Sequence, residues 1–154
     1  MDLSKILEPT AVKVVGKLTS KKRLLQELAE LAAVTYGLDV RRTMEALQER
    51  ESLGPTGVGH GVALPHARIE GLDHVVGAFL RIESPMDFDA ADRQPVDLVF
   101  ALFAPEDSGV EHLKALALVS RTMRNTTTCS KLRANNDSVT LHALLTESPA
   151  TKAA

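Results

Sequence analysis

Apolar and polar residues alternate in different rhythms along the chain, and each rhythm predicts a different element. Leu3 to Leu7 reads as a short helical turn stopped by Pro9, and Ala11, Val12, Val14 and Val15 around Lys13 predict a first strand. Ser20 opens a helix in which Leu24, Leu25, Leu28, Leu31 and Ala32 recur at helical spacing, with Glu27 and Glu30 between them. Gly37 is placed to end it in a left-handed cap. Asp39 then caps a helix from about Val40 to Glu51 that turns Met44 and Leu47 inward and leaves Arg41, Arg42, Glu45 and Glu49 outside. Val62-Ala63-Leu64 is a short extended piece, and Pro65 holds Leu64 in extended geometry, which puts His66 at a strand end.

Stronger strands follow at Val75 to Ile82 and Val96 to Phe103, the second a near-continuous apolar run of the kind found in a sheet covered on both faces. A turn-rich stretch, Ser84 to Pro95, lies between them. After the break at Pro105-Glu106-Asp107-Ser108, the positions Val110, Leu113, Leu116, Ala117, Ser120 and Met123 define a helix. Further helical turns are predicted at Thr127 to Ala134 and Ser138 to Leu145, leaving 147–154 as a flexible tail behind a single domain of residues 1–146. Helices before, between and after a buried sheet predict an α/β fold, a three-layer α/β/α sandwich around a mixed sheet of about four main strands.

Composition narrows the chemistry. With 154 residues, 18 Lys and Arg against 20 Asp and Glu, and a net charge of -2, the chain lacks the basic excess that phosphate-backbone binding needs, so nucleic acid is not an expected partner. Lys21-Lys22-Arg23 and Arg41-Arg42 fit solvated helix faces. The longest apolar run, Leu98 to Ala104, is far short of the roughly 20 residues a membrane span requires, so no insertion is expected. Met1-Asp2-Leu3-Ser4-Lys5 lacks the layout of a secretory signal, and Cys129 is the single cysteine; both point to the cytoplasm.

The segment from Gly54 to Arg68 is the least regular of the chain. Gly54, Gly57, Gly59 and Gly61 sit within it, where glycine either relieves a tight loop or lets backbone amides approach an anion. A P-loop would need Lys and then Ser or Thr after its last glycine, whereas Gly59 is followed by His60 and Gly61. A dinucleotide fingerprint would join a strand to a helix, and this loop does the reverse. His60, His66, His74 and His112 show no close paired spacing, so neither a metal nor a cofactor is expected. No serine elbow is present, and Cys129 lies in an ordinary helical stretch. On the residues alone, His66 reads equally as a histidine packed at a strand end and as a reacting group.

The run Arg50-Glu51 followed by Gly54-Pro55-Thr56-Gly57-Val58-Gly59-His60-Gly61-Val62-Ala63-Leu64-Pro65-His66 resembles the type-2 IIA proteins of the phosphoenolpyruvate-dependent phosphotransferase system, the fructose, mannitol and nitrogen-regulatory branch. The resemblance extends over nearly the whole chain. It implies that His66 is phosphorylated on Nε2 by a phosphorylated HPr-like histidine-carrier protein. It further implies that His112, in Glu111-His112-Leu113-Lys114-Ala115-Leu116, lies beside it as a hydrogen-bond partner, and that Arg50 stabilises the phosphoryl charge. Thr56, Gly57, Gly59 and Gly61 would form the loop around the phosphoryl group, with Arg68 competing for the role of Arg50. His60 and Ala67 stand where the family often has a smaller polar residue and glycine. His60 would lie near the site only through loop geometry, and His74 and His142 read as surface residues.

The chemistry is independently sound. A neutral imidazole, with a reference pKa of about 6.5, is a competent nucleophile that forms a labile phosphoramidate. One positive charge about 4 Å from the phosphoryl group is worth at most roughly 4 kcal/mol at an effective dielectric of about 20. Within the resembled family, one such domain with no fused transporter implies the nitrogen-regulatory branch, a protein expected to control targets, such as potassium-transport or sensor proteins, by docking. A sugar-specific component passing phosphate to a IIB domain, and a docking module that is never phosphorylated, are the alternatives.

Overall fold

The computed structural model describes residues 2–147. Two short 3-10 turns, Leu3–Lys5 and Pro9–Ala11, lead into β1 (Val12–Val15), and α1 (Lys21–Tyr36) and α2 (Val40–Ser52) follow. The local signals set these helices where they were expected. The Ser20 side chain accepts from the Arg23 amide, the Asp39 side chain from the Arg42 amide, and Gly37 closes α1 at φ 74° with its N–H on the Ala33 carbonyl. The inward face of α2 is Thr43 and Leu47, with Met44 half-buried beside them.

The remaining elements are β2 (Gly57–Gly59), β3 (Val62–Ala63), β4 (His66–Ile69), β5 (Val76–Met86), β6 (Val96–Pro105), α3 (Val110–Arg124), α4 (Thr126–Arg133) and α5 (Ser138–Thr146). The sheet is mixed and ordered β1-β5-β6-β3-β2, with β4 also pairing β6. The long apolar run makes β6 its centre: antiparallel to β5, with Phe79 opposite Phe100, and parallel on its other edge to β3 and then β4, with His66 opposite Leu102. Every residue of β6 but Asp97 is buried. Consecutive burial requires cover on both faces, which α1 and α2 on one side and the α3–α5 group on the other supply.

The structure departs from the sequence expectation in three places. The sheet has six strands, because the glycine stretch read as pure loop pairs at Gly57 and Gly59 with β3, and a separate β4 starts at His66. Strands of two to four residues are too short to leave a period in the sequence. Secondly, β5 runs on to Met86 into the stretch expected to be turns, and Phe88 beyond it is fully buried. Thirdly, α3 buries His112, Ala115, Val119 and Met123, while Val110 and Leu113 are 65% and 68% exposed. The expected tail 147–154 falls, apart from Glu147, outside the described residues.

Candidate functional site

Pro65 separates β3 from β4, so His66 is the first residue of β4 and stands half-buried at its end. Its Nδ1 lies 3.0 Å from the Leu64 carbonyl. A carbonyl can only accept, so Nδ1 carries the proton and Nε2 keeps its lone pair. That is the atom a phosphoryl acceptor needs free.

Arg50, in the last turn of α2, donates from Nε to His66 Nε2 at 3.3 Å and from a terminal nitrogen to the Gly54 carbonyl at 3.0 Å. A cation in the last turn of a helix also complements the negative end of its dipole. On the other side stands His112 in the first turns of α3, its ring 5.7 Å from that of His66 and edge-on to it at 73°. His112 is 6% exposed, yet its Nε2 has no hydrogen-bond partner, which is costly for a buried polar atom. Burial, with the neighbouring His66 and Arg68 adding to it, pushes the His112 imidazole below its ordinary pKa, so the ring favours the neutral form.

These three side chains meet in an open cleft of about 420 Å³ lined by Ala46, Glu49, Arg50, Leu53, His66, Ala67, Arg68 and His112. Arg68 shares the cleft but is committed elsewhere: it donates to the carbonyls of Glu106, at 3.1 Å, and Ser108, and so fastens the loop that precedes α3. Arg50, and not Arg68, is hydrogen-bonded to His66 Nε2.

The glycines expected to surround the phosphoryl group are placed differently. Gly57, Gly59 and Gly61 do not line the cleft; they form a narrow hairpin against the loop 87–95 and Arg133. A Cβ on Gly57 would stand 2.8 Å from Ala90 Cα, and one on Gly61, at φ 79°, would lie 2.6 Å from an Arg133 nitrogen. Their smallness serves close packing. Thr56 is 4% exposed, and both its hydroxyl and its amide are taken by the Glu51 carboxylate. His60 is carried with the hairpin to a groove beside Cys129 and Arg133, whose guanidinium holds the His60 carbonyl at 2.8 Å. His74 is exposed next to Asp73, whereas His142 is half-buried and joined to the Leu7 carbonyl at 2.8 Å, so it is not the surface residue expected. Cys129 is buried, and burial raises its thiol pKa, which makes it a poor nucleophile.

Residues 5–148 match the family described as "Phosphoenolpyruvate-dependent sugar phosphotransferase system, EIIA 2". The chain belongs to this type-2 IIA family. It is 44% identical over 153 residues to a nitrogen regulatory protein of Bradyrhizobium diazoefficiens, covering 99% of this chain and 100% of that one. A nitrogen regulatory protein of Klebsiella oxytoca is 40% identical over 148 residues, 96% of this chain and 91% of that one. Among solved structures, the nitrogen regulatory protein IIA-Ntr of Neisseria meningitidis superposes with a TM-score of 0.84 at 36% identity, covering 92% of this chain and 97% of that one. No helix among the described residues is long and apolar enough to cross a membrane, and no group of three or more His, Cys, Asp or Glu among them could hold a metal ion.

One residue of weight at this type-2 IIA site was not singled out from the sequence. Glu51, next to Arg50, is engaged with both Thr56 and Lys21. Its signal was its place between the arginine and the loop, five residues before Thr56. Glu49 and Leu53 line the cleft because they share the α2 face and C-terminus that carry Arg50.

Proposed function

We propose that the protein is a phosphoryl carrier: His66 Nε2 accepts a phosphoryl group from a phosphorylated HPr-like histidine-carrier protein, and the carrier domain of residues 1–146 acts in the cytoplasm as a nitrogen-regulatory IIA protein. The observation that carries this reading is the lone pair of His66 Nε2: the Leu64 carbonyl takes the Nδ1 proton of the neutral ring, Arg50 donates to Nε2, and His112 with its unpartnered Nε2 stands beside it.

In the transfer the N–P bond of the donor phosphohistidine breaks as the Nε2–P bond of His66 forms. The donor nitrogen recovers its electron pair, and Nδ1 of His66 keeps its proton on the Leu64 carbonyl. Such a step asks the protein for alignment and charge stabilisation. Arg50 exchanges its bond to the Nε2 lone pair for one to a phosphoryl oxygen, and His112 Nε2 gains the acceptor it lacks in the free protein. Neutral His112 is a donor that adds no competing charge. The rim suits a transient partner: Leu53 is 80% exposed at the cleft, and Val110 and Leu113 project from the turns of α3 that carry His112.

The regulatory branch is favoured by the likeness to nitrogen regulatory proteins over nearly the full chain. In that role the protein docks onto targets such as potassium-transport or sensor proteins, in a manner set by its phosphorylation. The test is intact mass after incubation with phosphoenolpyruvate, enzyme I and a histidine-carrier protein, with wild type and His66→Ala compared before and after mild acid. One acid-labile phosphoryl addition, absent in His66→Ala, is expected. An addition that persists in the variant would overturn the reading, and onward passage of phosphate to a sugar-transporter IIB domain would move the protein to the sugar branch.

A further inference from the structure

Thr56 joins the two elements that carry the reacting pair. On one side, Glu51 Oε1 accepts from the Thr56 hydroxyl, and Oε2 accepts from the Thr56 amide at 3.3 Å and from Lys21 Nζ at 2.8 Å. Glu51 adjoins Arg50, and Arg50 itself holds the Gly54 carbonyl inside the same loop at 3.0 Å. On the other side, the Thr56 carbonyl receives the Leu64 amide at 2.9 Å, and the Leu64 carbonyl receives His66 Nδ1 at 3.0 Å. A continuous path of hydrogen bonds therefore runs from the end of α2 to the start of β4, and the 3.3 Å contact between Arg50 Nε and His66 Nε2 closes it into a ring.

The path is built to be stiff. The Glu51 side chain is 6% exposed, Thr56 is 4% exposed, and Lys21 is fixed in turn with its ammonium 4.6 Å from the centre of the Phe88 ring. A buried carboxylate with every neighbour satisfied holds one geometry, and removing a partner leaves a desolvated group that must find another. A loop containing Gly54 and Pro55 would otherwise leave the separation of helix and strand loosely defined.

We propose that Glu51 and Thr56 are positioning residues that set the Arg50 guanidinium against His66 Nε2. Lys21 completes the clamp from α1. The inference rests on the reading of His66 as the phosphoryl acceptor, but its geometric half can be tested without a phosphoryl donor.

The experiment compares Thr56→Val, Thr56→Ser and Glu51→Gln with wild type, each alone and with Arg50→Ala, after thermal melts have shown which variants fold. The first readout is the 15N shift of His66 Nε2 in the unphosphorylated protein. The second is the rate constant for phosphoryl acceptance from the phosphorylated carrier protein. Thr56→Val is expected to move the Nε2 signal toward its position in Arg50→Ala and to lower the rate constant roughly tenfold to a hundredfold, the scale of a misplacement near 1 Å. Glu51→Gln moves both in the same direction, and Thr56→Ser, which keeps the hydroxyl, restores both. In the Arg50→Ala background Thr56→Val has no further effect, because its action passes through Arg50. A folded Thr56→Val or Glu51→Gln protein with an unmoved Nε2 signal and wild-type transfer overturns the inference, as do losses that multiply with that of Arg50→Ala. Phosphoryl uptake by His66→Ala would overturn the reading of the site and leave the Nε2 shifts to decide the clamp.

Discussion

At His66 the decisive contact is with a backbone carbonyl: because Leu64 holds Nδ1, the proton and the electron pair of the ring are assigned to opposite nitrogens before any partner arrives. Arg50 is then the only guanidinium hydrogen-bonded to Nε2 among the described residues. Arg50→Ala is expected to slow phosphoryl acceptance by roughly 10²- to 10³-fold, as for loss of one preorganised charge-stabilising donor. Arg50→Lys should recover part of that rate without the planar fork, and rapid-quench transfer assays read both. His112 carries a pH signature. Its pKa in the folded chain lies below the ordinary 6.5, so between the two values the unfolded chain binds a proton that the folded chain does not. Its contribution to stability is complete above pH 6.5 and is lost as pH falls through 6.5 toward the folded value. Urea midpoints measured across that window should fall less steeply for His112→Gln than for wild type.

Among the elements, the glycines separate into two kinds, and stability measurements can tell them apart. Gly37 takes φ 74° in open space at the end of α1, so Gly37→Ala meets only the left-handed backbone and costs about 1 kcal/mol. Gly57 has an ordinary φ, but a Cβ there would stand 2.8 Å from Ala90 Cα, so a methyl group forces strand β2 off the loop 87–95. Gly57→Ala should therefore cost about 2–3 kcal/mol, the upper part of the overpacking range because the obstacle is backbone, and urea unfolding of both variants checks the order. The same contrast explains what was legible at this scale. Ser20, Gly37 and Asp39 act on amides and carbonyls within one turn, so their residues alone announce the helix ends. The burial of α3 is not local. Val110 and Leu113 share the helical stripe with Met123, yet the helix meets the sheet with His112, Ala115 and Val119, leaving the first two outside.

For the whole molecule, the consequence is a bare apolar rim on a surface whose net charge is only -2. Leu53 lines the cleft, Val110 and Leu113 are exposed on the first turns of the helix that brings His112 to it, and a partner docking there would cover them. Replacing Leu53 and Leu113 together by Asp should raise the KM for the phosphorylated carrier protein at least tenfold while changing kcat and the melting temperature little, since neither residue is buried or reacts. Transfer kinetics over a range of carrier concentrations separate the two parameters.

By itself the sequence determined the alternation of helices with a buried sheet, the apolar centre of that sheet in Val96 to Phe103, and the caps of α1 and α2, because each is written in local spacing and side-chain chemistry. The resemblance implied Arg50 and His112 at His66, and only the tertiary structure decided the contacts by which groups meet. It drew Arg50, His66 and His112 together from α2, β4 and α3, turned the hairpin of Gly57, Gly59 and Gly61 away from them, and gave Thr56 to Glu51. Those choices follow from how β3 and β4 pair along β6 and where α2 and α3 pack against them, and strand pairing between distant segments has no period that a chain can display.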